Sequence, residues 1–142
     1  MRVVLDTVVF VRSLINPFSR CGRIVFDHYQ RYQLHLSRPV LEEILEVLQR
    51  PELTARFRSL PGLDFQAVIG LLAQAEMAEV GELPPLSRDP KDDKFLATAE
   101  AAAANYLVSE DEDLRVLGEY QGTQIVNCQE FLTILEQGAD GE

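Results

Sequence analysis

Residues 1–14 read MRVVLDTVVFVRSL. Val3, Val4 and Leu5 make a short β-branched and apolar run, the pattern of a buried strand. Asp6 and Thr7 then carry the marks of a helix start, with Val8–Leu14 following. The stretch is apolar, yet it contains Asp6 and lacks a small-residue cleavage site. It therefore reads as a core strand leading into a helix and not as a signal peptide. The carboxylate falls where the strand ends, and the rest of the chain repeats that alternation.

Asn16-Pro17 breaks the first helix. Ile24, Val25, His28 and Tyr29 give a second helical stretch, and Leu34–Leu36 a brief strand. Ser37 opens a helix with Pro39 near its start and an apolar stripe at Leu41, Ile44, Leu45 and Leu48, closed by Arg50-Pro51. A short helix over 52–60 precedes Pro61-Gly62. Phe65–Met77 reads as a helix with Val68, Leu71, Leu72 and Ala75 inward. Pro84-Pro85 marks a loop. Asp89 as N-cap and Pro90 at the first helical position begin an Ala-rich helix from Asp92 to Ala104. Tyr106–Val108 is a strand, Asp111–Leu117 a short helix, Gln124–Val126 a strand and Glu130–Glu136 a last helix. Residues 137–142 form a Gly-rich, acidic tail expected to fray.

Short apolar strands alternating with amphipathic helices imply an α/β fold: three layers, α/β/α, around a central, mostly parallel sheet. The chain has 142 residues and no internal repeat or long linker, so one domain over residues 1–136 is expected. No run of about 18 apolar residues occurs, which excludes a membrane-spanning helix. Cys21 and Cys128 lack C-x-x-C spacing and read as reduced, cytosolic packing residues.

The net charge of −10 argues against holding nucleic acid by bulk charge. The charge is divided unevenly. Residues 1–60 carry nine basic and six acidic groups, a net of +3; residues 61–142 carry four and seventeen, a net of −13. A basic half can track phosphates, and a metal can mask acids in the other half.

In a parallel sheet the ligand site lies beyond the carboxyl ends of the strands. Asp6 follows the first strand, and Asp111 and Asp113 follow Tyr106–Ser109. Asp92 and Asp93 open a helix that runs back to the same edge. Asp92 precedes Phe95, Leu96 and Ala99 by three, four and seven residues, in phase with a buried stripe that also includes Ala103. Asp93 is rotated by roughly a hundred degrees, one residue's turn, and is expected to be solvated. Inward carboxylates beside one another need a positive partner. No Lys or Arg stands at the strand ends, so a hard divalent cation, Mg²⁺ or Mn²⁺, is the natural candidate. Each acid has a plainer reading: Asp6 as a helix cap, Asp92 as a complement to a helix N-terminus, Asp111 and Asp113 as a solvated turn, and Glu42, Glu43 and Glu46 as surface.

With these motifs in order, the chain resembles the PIN-domain nucleases, in the branch of VapC-like toxins of toxin–antitoxin pairs. VVLDTVVF resembles the family's first strand ending in Asp-Thr-Asn. SRPVLEEILEVLQRP resembles the helix bearing the family's Glu, here Glu43. RDPKDDKFLATA places the third acid on Asp92. YLVSEDEDL matches the fourth motif, with Ser109 and Asp111 at its polar positions and Asp113 behind. The resemblance implies a catalytic set of Asp6, Glu43, Asp92 and Asp111. It implies metal ligands at Asp6, Asp92, Asp111 and Asp113, supported by Thr7 and Ser109. Two positions depart from the pattern: Val8 stands where Asn is usual, and Glu110 where a small residue is usual, adding negative charge at the metal edge.

The resemblance implies hydrolysis of RNA phosphodiester bonds by metal-activated water, in the cytoplasm, by a homodimer held by a cognate antitoxin. Arg12, Arg20, Arg23, Arg88, Lys91 and Lys94 are candidates to position RNA by phosphate contacts, or else ordinary surface. A HAD-type phosphatase needs a second Asp where Val8 stands. A phosphoacceptor receiver needs a Lys after a late strand, and none follows Val108 or Val126. A PIN-fold protein without catalysis, acting as a binding partner, is the remaining alternative.

Overall fold

The computed structural model describes residues 1–52, 62–81 and 92–140. β1 (Arg2–Leu5) leads into α1 (Thr7–Ile15). A short α2 (Arg20–Gly22) runs on into a π-helical turn over Arg23–Asp27 and a 3-10 turn over Tyr29–Arg31. Next come β2 (Gln33–Leu36), α3 (Arg38–Leu48), α4 (Gly62–Gln74), β3 (Glu76–Met77) and α5 (Asp93–Ala102). β4 (Tyr106–Val108), α6 (Glu112–Arg115), β5 (Glu119–Tyr120), β6 (Thr123–Val126) and α7 (Cys128–Asp140) complete the described chain.

The strands form one sheet in the order β3-β2-β1-β4-β6-β5, parallel except for the β5–β6 pair. Val3, Val4 and Leu5 are all fully buried, although successive side chains on a strand point to opposite faces. Both faces of β1 are therefore covered, which gives the expected three-layer α/β/α architecture. From β1 the chain crosses to β2 on one side, and β4 lies on the other. Their shared carboxyl ends form the switch point of the sheet, where open α/β folds place ligands.

Several boundaries differ from the sequence expectations. The Phe65–Met77 helix ends at Gln74, and Glu76 and Met77 instead pair with His35 and Leu36 as β3. In α3 the buried stripe is Val40, Ile44 and Leu48, one residue in four, and Leu45 is turned out at 36% exposure. The Ala-rich helix stops at Ala102 because Ala103 adopts the left-handed conformation at φ 49°. Ala103 is consequently exposed, and Ala104 is the residue buried there.

The last helix starts at Cys128 and continues past Glu136 to Asp140. Its start is a reciprocal capping box: the Glu130 amide donates to Asn127 Oδ1 at 2.7 Å, and the Asn127 amide to Glu130 Oε1 at 3.0 Å. β5 and β6 are joined by a two-residue hairpin loop, Gln121 and Gly122, both at positive φ. The expected helix over 52–60 (beyond Glu52), the Pro84-Pro85 loop and the Asp89-Pro90 helix start lie outside the described residues.

Candidate functional site

Asp6 is set where β1 ends, its amide donating to the Val108 carbonyl at 2.9 Å. It occupies the N-cap position of α1, yet its side chain makes no capping hydrogen bond. The Val8 amide contributes only a weaker polar contact. Its bonded partner is Ser109, whose hydroxyl donates to Asp6 Oδ2 at 2.7 Å from the end of β4. Asp6 is 5% exposed. Burial raises its pKa to about 6 against the opposing hydrogen bond from Ser109, and the charges of Glu43 and Asp111 raise it further.

Ser109 itself is fully buried and also accepts from the Asp111 amide at 3.0 Å. Asp111 Oδ1 in turn accepts from the Asp113 amide at 2.9 Å, capping α6. So Asp111 performs the capping role that Asp6 does not. Asp92, Asp111 and Asp113 each bring one carboxylate oxygen within 4.8 Å of the others.

Glu43 projects from α3 toward the same place, although its helical position reads as surface. Its Oε2 accepts from the Thr7 hydroxyl and its Oε1 from the Lys94 ammonium at 3.0 Å. Lys94 and Glu43 are both about one-quarter exposed. The Ser37 and Thr98 hydroxyls meet at 2.6 Å and tie the start of α3 to α5. Thr98 also donates to the Lys94 carbonyl at 2.7 Å, so the two elements that carry this ion pair are locked together.

Asp6, Glu43, Asp92 and Asp111 line one cleft of about 610 Å³, with Thr7 and Val8 on its wall. Asp113 lies beside it through Asp92 and Asp111. An all-oxygen, multiply acidic cleft matches a hard divalent cation such as Mg²⁺ or Mn²⁺. The buried Asp6, whose charged form burial disfavours, is a site where such a charge would be welcome.

Three expectations need correction. Asp93 is not solvated; it is 5% exposed, as is Asp92. Asp93 is the first residue of α5 and stands three positions before the buried Leu96, so it too lies on the flank of the buried stripe. Lys94 is not free surface, because its ammonium is bound to Glu43 at the cleft wall. Glu110 does not face the cleft. Its Oε1 accepts from the Cys128 amide at 3.0 Å and its Oε2 lies 3.9 Å from Arg12.

The other basic candidates separate as well. Arg23 is committed to an ion pair with Glu136. Arg12 and Arg20 are exposed, and Arg88 and Lys91 lie outside the described residues. Arg50 was not anticipated. It lines the cleft from the end of α3, held by two hydrogen bonds to Glu46 at 2.9 and 3.2 Å. Its only sequence signal was its place before Pro51, which marks a helix end.

A family model described as a PIN domain matches residues 2–113. No curated protein matches the sequence. Among solved structures, the chain is similar to one in the crystal structure of VapBC2 from Rickettsia felis bound to a DNA fragment from their promoter. The identity is 15% and the TM-score 0.56, over 89% of this chain and 98% of that one. It is also similar to PAE2754 from Pyrobaculum aerophilum, at 15% identity and a TM-score of 0.53, over 96% of this chain and 90% of that one. At such identity the likeness is one of fold.

Proposed function

The chain belongs to the PIN-domain family, and from that premise we propose that it is a divalent-metal-dependent endoribonuclease, the toxin of a cytoplasmic toxin–antitoxin pair. Members of the family are generally metal-dependent nucleases, and the residues here fit that chemistry. The observation that carries the reading is the convergence of Asp6, Glu43, Asp92 and Asp111 on one cleft at the switch point of the sheet.

Asp6, Asp92 and Asp111, with Asp113, would hold Mg²⁺ or Mn²⁺. When bound, the ion supplies an activated water and neutralises charge on the scissile phosphate. Ser109 fixes the Asp6 carboxylate by its hydrogen bond and orients Asp111 through its amide. Thr7 and Lys94 hold Glu43 from both oxygens, fixing it at the cleft wall as a proton acceptor for the attacking water. Arg50 stands at the cleft to position the strand through a phosphate.

RNA cleavage with Mn²⁺ or Mg²⁺, with and without chelator, tests this. The parent is expected to cleave only with metal, and Asp92→Asn to be inactive. Cleavage by Asp92→Asn at the parent's rate removes the site assignment. The VapBC2 structure contains a toxin–antitoxin pair, which supports an antitoxin as this chain's partner, and a homodimer is proposed with it.

One observation favours a second reading, a PIN fold that binds without cutting. Val8 is 40% exposed and lines the cleft beside Asp6, an apolar wall where a polar group would steady the metal shell. Calorimetric titration with Mn²⁺ separates the two readings: a nuclease binds it, and a scaffold without catalysis binds it poorly.

A further inference from the structure

The fold brings together a second group of metal-ligating side chains, away from the acidic cleft. Cys21 and Cys128 are 107 positions apart, with no ligand spacing between them. In the structure the Cys21 and Cys128 sulfurs and a Glu110 carboxylate oxygen all lie within 4.8 Å of one another. The cysteines are 3% and 1% exposed. Glu110, 22% exposed, forms the open side.

We propose that Cys21, Cys128 and Glu110 form a binding site for a thiophilic divalent cation such as Zn²⁺, separate from the acidic cleft. Zinc is bound by thiolates and carboxylates at about 2.0–2.3 Å in tetrahedral geometry, which places ligand atoms a little under 4 Å apart. Three ligands from three segments leave the fourth position for water, entering past Glu110. The donor chemistry divides the two sites. The cleft offers oxygen alone and suits Mg²⁺ or Mn²⁺, whereas paired sulfur selects a softer ion.

The surroundings agree with a cation at this point. Two thiolates and a carboxylate carry three negative charges, and of the cationic side chains Arg12 approaches Glu110, at 3.9 Å. Cys128 is the first residue of α7, so its side chain is placed by the start of a long helix. Glu110 is already oriented by the Cys128 amide. The neighbouring Cys128 lowers the Cys21 thiol, and Cys21 together with burial raises that of Cys128, whose proton a bound cation would displace.

Occupancy would join three segments: the α2 turn, the loop after β4 and the start of α7. Glu110 lies between Ser109, which holds Asp6, and Asp111, which lines the cleft. Zinc here would therefore brace the loop that carries both. The site does not rest on the nuclease reading, because its ligands are outside the cleft.

The test is titration of the reduced, metal-free protein with Co²⁺ as a spectroscopic stand-in, then displacement by Zn²⁺. The parent is expected to develop a thiolate-to-cobalt charge-transfer band at one equivalent, lost on adding Zn²⁺. Cys21→Ser should lose the band, and Asp92→Asn should keep it. Zinc should raise the melting temperature of the parent by more than that of Cys21→Ser, which keeps only the acidic cleft. No thiolate band in the folded parent overturns the proposal, with no variant needed. A band that survives in Cys21→Ser, or disappears in Asp92→Asn, overturns it as well. So does ready conversion to a Cys21–Cys128 disulfide without any metal uptake, which would make the pair a redox element instead.

Discussion

Replacing Asp6 by Asn should stabilise the metal-free protein. Asp6 is 5% exposed, and its pKa stands near 6 because burial penalises the charged form. An unfolded aspartate ionises near 4. Between those values the native state keeps a proton that the unfolded state has lost. Stability therefore falls as pH rises through the window from about 4 to 6, and the deficit is complete above it. At roughly 1.4 kcal/mol per tenfold change, a gap of about two decades corresponds to about 3 kcal/mol at pH 7. Asn keeps the shape and still accepts from the Ser109 hydroxyl, so most of this should be recovered, between about 1 and 3 kcal/mol. For a chain of this length, at about 0.3 kcal/mol per degree, that is a rise in melting temperature of about 3–10 °C. The assay is thermal unfolding of both proteins in EDTA at pH 7 and again near pH 4, where the difference should vanish. With saturating Mn²⁺ the parent should gain stability that the variant does not, narrowing the gap. A variant less stable than the parent at pH 7 in EDTA would refute the reasoning. So would an equal gain at both pH values.

Other outcomes follow from the same geometry. Ser109→Ala removes a hydrogen bond to a buried carboxylate, so the Asp6 pKa should move up from about 6, read by NMR titration; a downward shift would contradict its role. Val8→Asn restores a polar group beside Asp6 and should tighten Mn²⁺ binding about tenfold, measured by calorimetry. Ala103→Gly relieves a left-handed residue at φ 49° and should add about 1 kcal/mol in urea unfolding. A Cβ on Gly22 would lie 2.2 Å from the Pro17 carbonyl oxygen, so Gly22→Ala should lose about 1–3 kcal/mol or more in the same assay.

The strands with long-range consequences were legible because their apolar runs are bounded on both sides. Val3–Leu5 and Tyr106–Val108 announce themselves, and Asp6 and Asp111 follow directly. Two-residue strands carry no such pattern. Glu76–Met77 continues a helical rhythm in sequence and is a strand only because His35 and Leu36 lie beside it. Within the candidate site, motif spacing selected Glu43, yet its inward aim depends on Thr7 and Lys94 from two other elements. Helical phase pointed Asp92 inward and misjudged Asp93, which sits three residues before the buried Leu96 and is covered by the packing around it. Glu110 could be read only as added negative charge, because its partner is a backbone amide eighteen residues later. The meeting of Cys21 with Cys128 is a product of tertiary folding alone.

The hairpin that closes the sheet has a further consequence for assembly. Among the described residues, β5 and β3 are the two outer strands, and each is two residues long. An intruding strand finds little backbone to pair with on either side, and the positive-φ loop at Gln121-Gly122 turns the chain back at once. Among the described residues, the sheet is thereby protected against growing by addition from a neighbouring molecule. Of the described elements, the helical faces are then the surfaces suited to the proposed dimer, where side-chain shape can choose the partner.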